Sequence, residues 1–129
     1  LMSPSPLDSY LKEHSDEFLS EGIVELLEQF YEGKQISKAE LARRAGISEV
    51  YLHQVFSGRR TPSRDRLLCL CVGMGVELEE AQTLLKRAGY AQMYAKFKRD
   101  TIIMYGIAHK LDLSEINDKL FTENERTLL

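Results

Sequence analysis

Ser37-Lys38-Ala39-Glu40-Leu41-Ala42-Arg43-Arg44-Ala45-Gly46-Ile47-Ser48-Glu49-Val50-Tyr51-Leu52-His53-Gln54-Val55-Phe56-Ser57 is the stretch that decides how this chain reads. Ser37 and Glu40 form an S-x-x-E capping box, in which a hydroxyl and a carboxylate satisfy the free N–H groups at a helix start. Leu41, Ala42 and Ala45 are the apolar positions of that helix, and Gly46 stops it. Ser48 caps a second helix. The two are joined through Ala45-Gly46-Ile47, an αα unit with a glycine-containing turn. On the second helix, stepping about 100° per residue from Glu49 puts Glu49, Val50, His53, Gln54 and Ser57 within an arc of about 140°. Tyr51, Leu52, Val55 and Phe56 fill the opposite arc. One face can lock onto neighbouring helices, while the other offers hydrogen-bonding groups and one small apolar contact. A helix of this width fits the DNA major groove, where each base pair presents a distinct donor/acceptor pattern.

Outward from this unit the signals stay helical, and almost nothing alternates with period two. Asp8 predicts the cap of a short helix running to Phe18, with Leu7, Leu11 and Phe18 as apolar contacts. Residues 1–6 (Leu1 to Pro6) are set aside as a poor helix former. Ile23, Leu26, Leu27, Phe30 and Tyr31 make an apolar stripe over 21–32, closed by Gly33, with Glu21, Glu25, Glu28 and Glu32 as a solvated opposite face. Ser57-Gly58 ends the helix begun at Ser48. Arg59-Arg60-Thr61-Pro62 is a turn, and Ser63 opens a helix to about 73, with Gly73 and Gly75 bracketing the next break. Glu77, Glu79 and Glu80 crowd one helix N-terminus and Lys86-Arg87 its end, as the helix dipole favours. Gly89 closes that helix. Two more are predicted over 98–110 and 114–122, with Ile103, Ile107, Leu111, Leu113, Ile116 and Leu120 as core candidates. Tyr90, Tyr94, Phe97 and Tyr105 read as packing residues, and Lys96-Lys98-Arg99 as a basic cluster that touches a phosphate or caps a helix. No internal repeat stands out at a solenoid period.

The sequence from Ile36 to Leu68 resembles the lambda-repressor-like (XRE-type) helix-turn-helix family of transcriptional regulators. The matching features fall in one register: Ser37, Glu40-Leu41-Ala42, Gly46-Ile47-Ser48, Leu52, Val55, Gly58, Arg60, Pro62-Ser63 and Leu67. The resemblance implies an all-α fold with a five-helix DNA-binding core, flanked by an N-terminal helical extension and a C-terminal helical pair. The expected organisation is residues 1–20 as tail and short acidic helix and 21–89 as the helix-turn-helix domain. Residues 90–129 follow as an extension that dimerises the protein or closes its core. The family pattern places Glu49, Val50, His53 and Gln54 at base edges, and Ser37, Lys38, Arg43, Ser57, Arg59, Arg60 and Arg64 near phosphates. Two positions depart from it. Lys38 stands where glutamine is usual, and Glu49 stands where a polar or basic residue is common, so Glu49 needs a donor such as a cytosine amino group. The implied partner is double-stranded DNA, bound by a homodimer on a two-fold operator.

The charge distribution agrees with that partner. The 129 residues carry net charge −3, yet residues 1–33 hold net −7, residues 34–66 net +5 and residues 67–129 net −1. A partner that meets the middle third alone meets a basic surface. The acidic N-terminal helices support an alternative, in which the helix-turn-helix is a scaffold for a protein-interaction adaptor or an antitoxin-like protein. Cys69 and Cys71 fall on nearly opposite helix faces, which excludes a mutual disulfide and suits small buried side chains. His14, His53 and His109 lie in three separate segments, so no metal or other cofactor is expected. No nucleophile–base pair or glycine-rich phosphate loop suggests an enzyme. No stretch is long and apolar enough to span a membrane, and no secretion signal is seen, so a cytoplasmic protein is expected.

Overall fold

In the computed structural model, residues 5–13 and 19–128 are described, and they form eight helices with no strand among them. These are α1 (Pro6–Glu13), α2 (Leu19–Glu32), α3 (Lys38–Ala45), α4 (Glu49–Phe56), α5 (Arg64–Met74), α6 (Leu78–Arg87), α7 (Lys98–Ala108) and α8 (Leu113–Thr122). His14, Phe18 and the side chain of Glu21 lie outside the described residues. The starts of α3, α4 and α5 are fixed as their serines predict: Ser37, Ser48 and Ser63 accept from the N–H of Glu40, Tyr51 and Arg66 at 3.0–3.2 Å. Gly46 closes α3 at φ +67°, in the left-handed region that a side chain rarely adopts. Leu27, Leu41, Leu52, Leu67, Leu68, Leu70, Leu84 and Leu85 are fully buried together. Ile103, Ile107, Ile116 and Leu120 join the same core, so α7 and α8 help to close it.

Four local expectations change. The first helix opens at Pro6 rather than Asp8, because Ser5 Oγ accepts from Asp8 N–H at 3.1 Å and proline suits the first helical position. Its residues Leu7 and Leu11, expected as apolar contacts, stand in solvent. Gly33 does not close α2 through a left-handed residue, since it is absent from the positive-φ glycines; Lys34 N–H turns back to Tyr31 O instead. Gly73 does not break α5 but lies inside it, where a Cβ would sit 3.1 Å from the Ala45 nitrogen, so glycine is what lets α3 approach. Finally, Tyr94, Phe97 and Tyr105 are exposed rather than packed, and only Tyr90 is half-buried, its hydroxyl donating to Pro62 O.

The expectation that the chain lacks an internal repeat also fails. The unit α5–α6 with its following loop recurs as α7–α8 with its loop, shifted by 35 residues. Arg64-Asp65 returns as Arg99-Asp100. The capping box of Glu77 and Glu80 returns as Asp112 and Glu115. The positive-φ residues Gly75 and Gly89 return as Lys110 and Asn124, the two non-glycine residues with positive φ among those described. Gln82 clasps Met93 through both backbone groups, and Asn117 clasps Leu128 in the same way. Arg64 Nε donates to Ala91 O and Arg99 Nε to Arg126 O. Between the units the ion pairs are reciprocal, Arg64 to Asp100 and Arg99 to Asp65. Packing is reciprocal too, α5 touching α8 as α7 touches α6. Mutual contacts of this kind define a pseudo-two-fold pair.

Candidate nucleic-acid interface

The apolar arc of α4 is inward: Leu52, Val55 and Phe56 are buried and Tyr51 is half-buried. That burial orients the helix and turns the opposite arc to solvent. Val50 is 69% exposed, Glu49 and His53 are exposed, and Gln54 is half-exposed. The structure thus brings all four residues expected at base edges onto one open face. Glu49 and His53 are one turn apart, with Oε2 and Nε2 at 3.4 Å, so the carboxylate has a partner on its own helix. The remaining groups on the face, the Gln54 amide and the Val50 methyls, are suited to an adenine edge and a thymine methyl respectively.

Cations gather at the C-terminal end of α4. The Gln54 carbonyl accepts from the backbone N–H of Arg59 and Arg60, at 2.9 and 3.2 Å, and from Ser57 Oγ at 3.1 Å. These three donors fold the loop after α4 back against the helix end, where orphan carbonyls favour positive charge. Arg59 and Arg60 are exposed and enter no ion pair among the described residues. Lys38 projects to the same end, its Nζ 4.2 Å from the centre of the Phe56 ring and 5.3 Å from that of Tyr31. The aromatic faces hold that ammonium beside the open face of α4 without neutralising it. Ser37 sits next to it as the cap of α3, with its Oγ already accepting from Glu40 N–H.

Besides Ser37 and Ser57, two of the arginines expected at phosphates are engaged within the protein. Arg43 is exposed but pairs with Glu40, which also accepts from Arg44 Nε at 2.9 Å. The two guanidiniums hold the Glu40 carboxyl down at about 2, so it stays charged at any physiological pH. Arg64 is committed more deeply. Its guanidinium donates to both carboxylate oxygens of buried Asp100, at 3.4 and 3.2 Å, and to Ala91 O at 2.9 Å. These bonds engage all three of its nitrogens inside the protein, which ties Arg64 to the fold ahead of any phosphate. A cation that sequence reasoning passed over takes a related place: the Arg66 guanidinium carbon lies 4.7 Å from the Tyr51 ring centre, tying the start of α5 to α4. Only its position two residues after Arg64 hinted at it, since the pairing with Tyr51 spans an intervening turn.

Cys69 and Cys71 are both buried and free. Burial pushes their thiols up to about 11 and about 12, which leaves them protonated and unsuited to nucleophilic or ligand roles at neutral pH. Among the described residues, no three His, Cys, Asp or Glu side chains are grouped to hold a metal ion, and no helix is long and apolar enough to cross a membrane.

Comparison with known proteins returns one family. The family model for a helix-turn-helix domain matches residues 23–84, from within α2 to within α6. No curated protein and no solved structure matches the chain.

Proposed function

Residues 23–84 being a helix-turn-helix domain of the lambda-repressor-like kind, we propose that the protein is a sequence-specific DNA-binding transcriptional regulator, cytoplasmic and of a bacterium or a mobile element. In this reading α4 enters the major groove, with Glu49, Val50, His53 and Gln54 toward base edges. Lys38, Arg59 and Arg60 neutralise phosphates at its C-terminal end, Ser37 and Ser57 lie against the backbone on either side, and Arg43 reaches it only by exchanging its Glu40 partner. The protein works by binding and carries no catalytic step. The single observation that supports this most is the open polar face of α4 flanked by exposed Arg59 and Arg60, which enter no ion pair among the described residues.

Selection from a random duplex pool, followed by a salt titration on the winning sequence, tests it. One motif should emerge, and log K should fall linearly with log salt by about 0.9 per phosphate contact. Gln54→Ala should change the preferred sequence at one position, while Arg60→Ala should weaken all duplexes alike. If both variants lose affinity with the preferred sequence unchanged, α4 does not read bases.

A further inference from the structure

The duplicated pair exposes an asymmetry that its own contacts do not explain. Packing between two reciprocal units buries equivalent positions equally. Yet Leu70 is fully buried while its counterpart Tyr105 is 59% exposed, and Leu84 is fully buried while its counterpart Lys119 is exposed. Something outside the pair must cover Leu70 and Leu84, and that is the helix-turn-helix: α3 packs on α5 and α2 on α6. On α7–α8 no element among the described residues fills the same seat. It forms an open groove of about 550 Å³ lined by Thr101, Ile102, Tyr105, Leu111 and Ile116, with Glu115 and Lys119 along its rim. All but the two rim residues and Thr101 are apolar or aromatic. On this face, and among the described residues, the first unit therefore carries two helices where the second carries none.

We propose that this groove receives α1 of a second copy of the chain, so that two copies exchange their N-terminal helices. Helix α1 is amphipathic and presents Leu7 and Leu11, one turn apart, at 64% and 42% exposure. Exposed leucines at this spacing are what an apolar two-helix seat accepts. The charges are complementary as well. Asp8 and Lys12 lie four residues apart beside the stripe; Glu115, exposed while one of its oxygens caps α8, and Lys119, exposed at 3.6 Å from Glu123, lie four apart along the groove. Antiparallel docking sets Asp8 against Lys119 and Lys12 against Glu115, whereas parallel docking sets like charges together. Each copy offers one α1 and one seat, so a two-fold dimer satisfies both and leaves none open. The dimer is independent of the DNA-binding reading, although a two-fold operator would match it.

Sedimentation of the full chain across a concentration series, without DNA, tests the exchange. The apparent mass should rise from monomer to dimer, with a dissociation constant on the order of micromolar for contacts of this modest size. Leu11→Glu and Tyr105→Glu alter exposed residues, so both should fold with unchanged circular dichroism, and each should stay monomeric alone. Lys119→Glu should weaken the dimer at least tenfold, and adding Asp8→Lys in the same chain should restore it. A wild-type chain that stays monomeric throughout, including one whose α1 docks on its own groove, overturns the proposal. So does a dimer indifferent to Leu11→Glu and Tyr105→Glu, which would place the interface elsewhere. Loss of DNA binding with the dimer intact would count against the regulator reading alone.

Discussion

Replacing Arg64 with glutamine separates two roles that the sequence leaves confounded. As a phosphate contact, Arg64 would be dispensable for folding, and its loss would lower the slope of log K against log salt by about 0.9. As placed, it is the main partner of Asp100, a carboxylate only 5% exposed. Breaking a buried pair from one side costs about 3–5 kcal/mol, because the remaining charge is left uncompensated. Here Asp100 keeps the Tyr94 N–H at 2.9 Å, and the arginine itself is 24% exposed, so water can enter part of the space. The expected loss is therefore about 2–4 kcal/mol. In a chain of this size that lowers the melting temperature by roughly 10 °C. The assay is urea unfolding of Arg64→Gln beside Arg60→Ala, each also titrated with salt on the selected duplex. Arg64→Gln should unfold at markedly lower urea yet keep the wild-type salt slope per folded molecule, and Arg60→Ala should do the reverse. If Arg64→Gln unfolds like wild type and its slope falls by about one, the guanidinium is facing DNA, and the reciprocal pairing is wrong.

Other consequences can be checked as directly. A Cβ on Gly106 would overlap Ile116 Cγ1 and Cδ1, so Gly106→Ala should cost about 1–3 kcal/mol in thermal or urea unfolding, and Ile116→Ala should cost less in that background than it does alone. The first unit has Cys71 and Ala81 at these positions, which is the same trade of large against small. Glu40→Gln should free Arg43 and Arg44, raising affinity for any duplex several-fold at low salt and steepening the salt slope by about one phosphate contact. The raised thiols make the fold sensitive to alkali. Folding keeps Cys69 and Cys71 protonated, so their contribution is complete below the ordinary thiol value of 9.0 and is lost as pH rises toward 11–12. Melting temperatures should therefore fall between pH 9 and 11, and less so in Cys69→Ala/Cys71→Ala.

The helix-turn-helix was legible because its signals are local. Ser37, Ser48 and Ser63 announce helix starts, Gly46 an end, and the arc from Glu49 to Ser57 a free face, each within a few residues. Arg64 was misplaced because its partner lies 36 residues away and nothing near it in sequence names Asp100. The duplication was hidden for a different reason. Equivalent geometry is achieved with unlike residues: Lys110 adopts the backbone of Gly75, Asn124 that of Gly89, and Asn117 repeats the clasp of Gln82. Similarity of hydrogen bonding survives where similarity of letters does not. Tyr94, Phe97 and Tyr105 misled because helical spacing marks a stripe without saying whether another element covers it.

The turn at Gly46 touches more than its own two helices. A Cβ there would stand 3.0 Å from Leu113 Cδ2, so the start of α8 rests directly on the hinge of the helix-turn-helix. Local opening of α7–α8 therefore withdraws support from the very loop that sets the angle between α3 and α4. In amide exchange the N–H of Ile47, which donates to Ala42 O, should lose protection together with the amides of α8 rather than on its own schedule. The loop that sets α4 is then a reporter for an event more than sixty residues away in the chain, coupled to the C-terminal unit both directly through Leu113 and through α5, which packs on α3, α7 and α8.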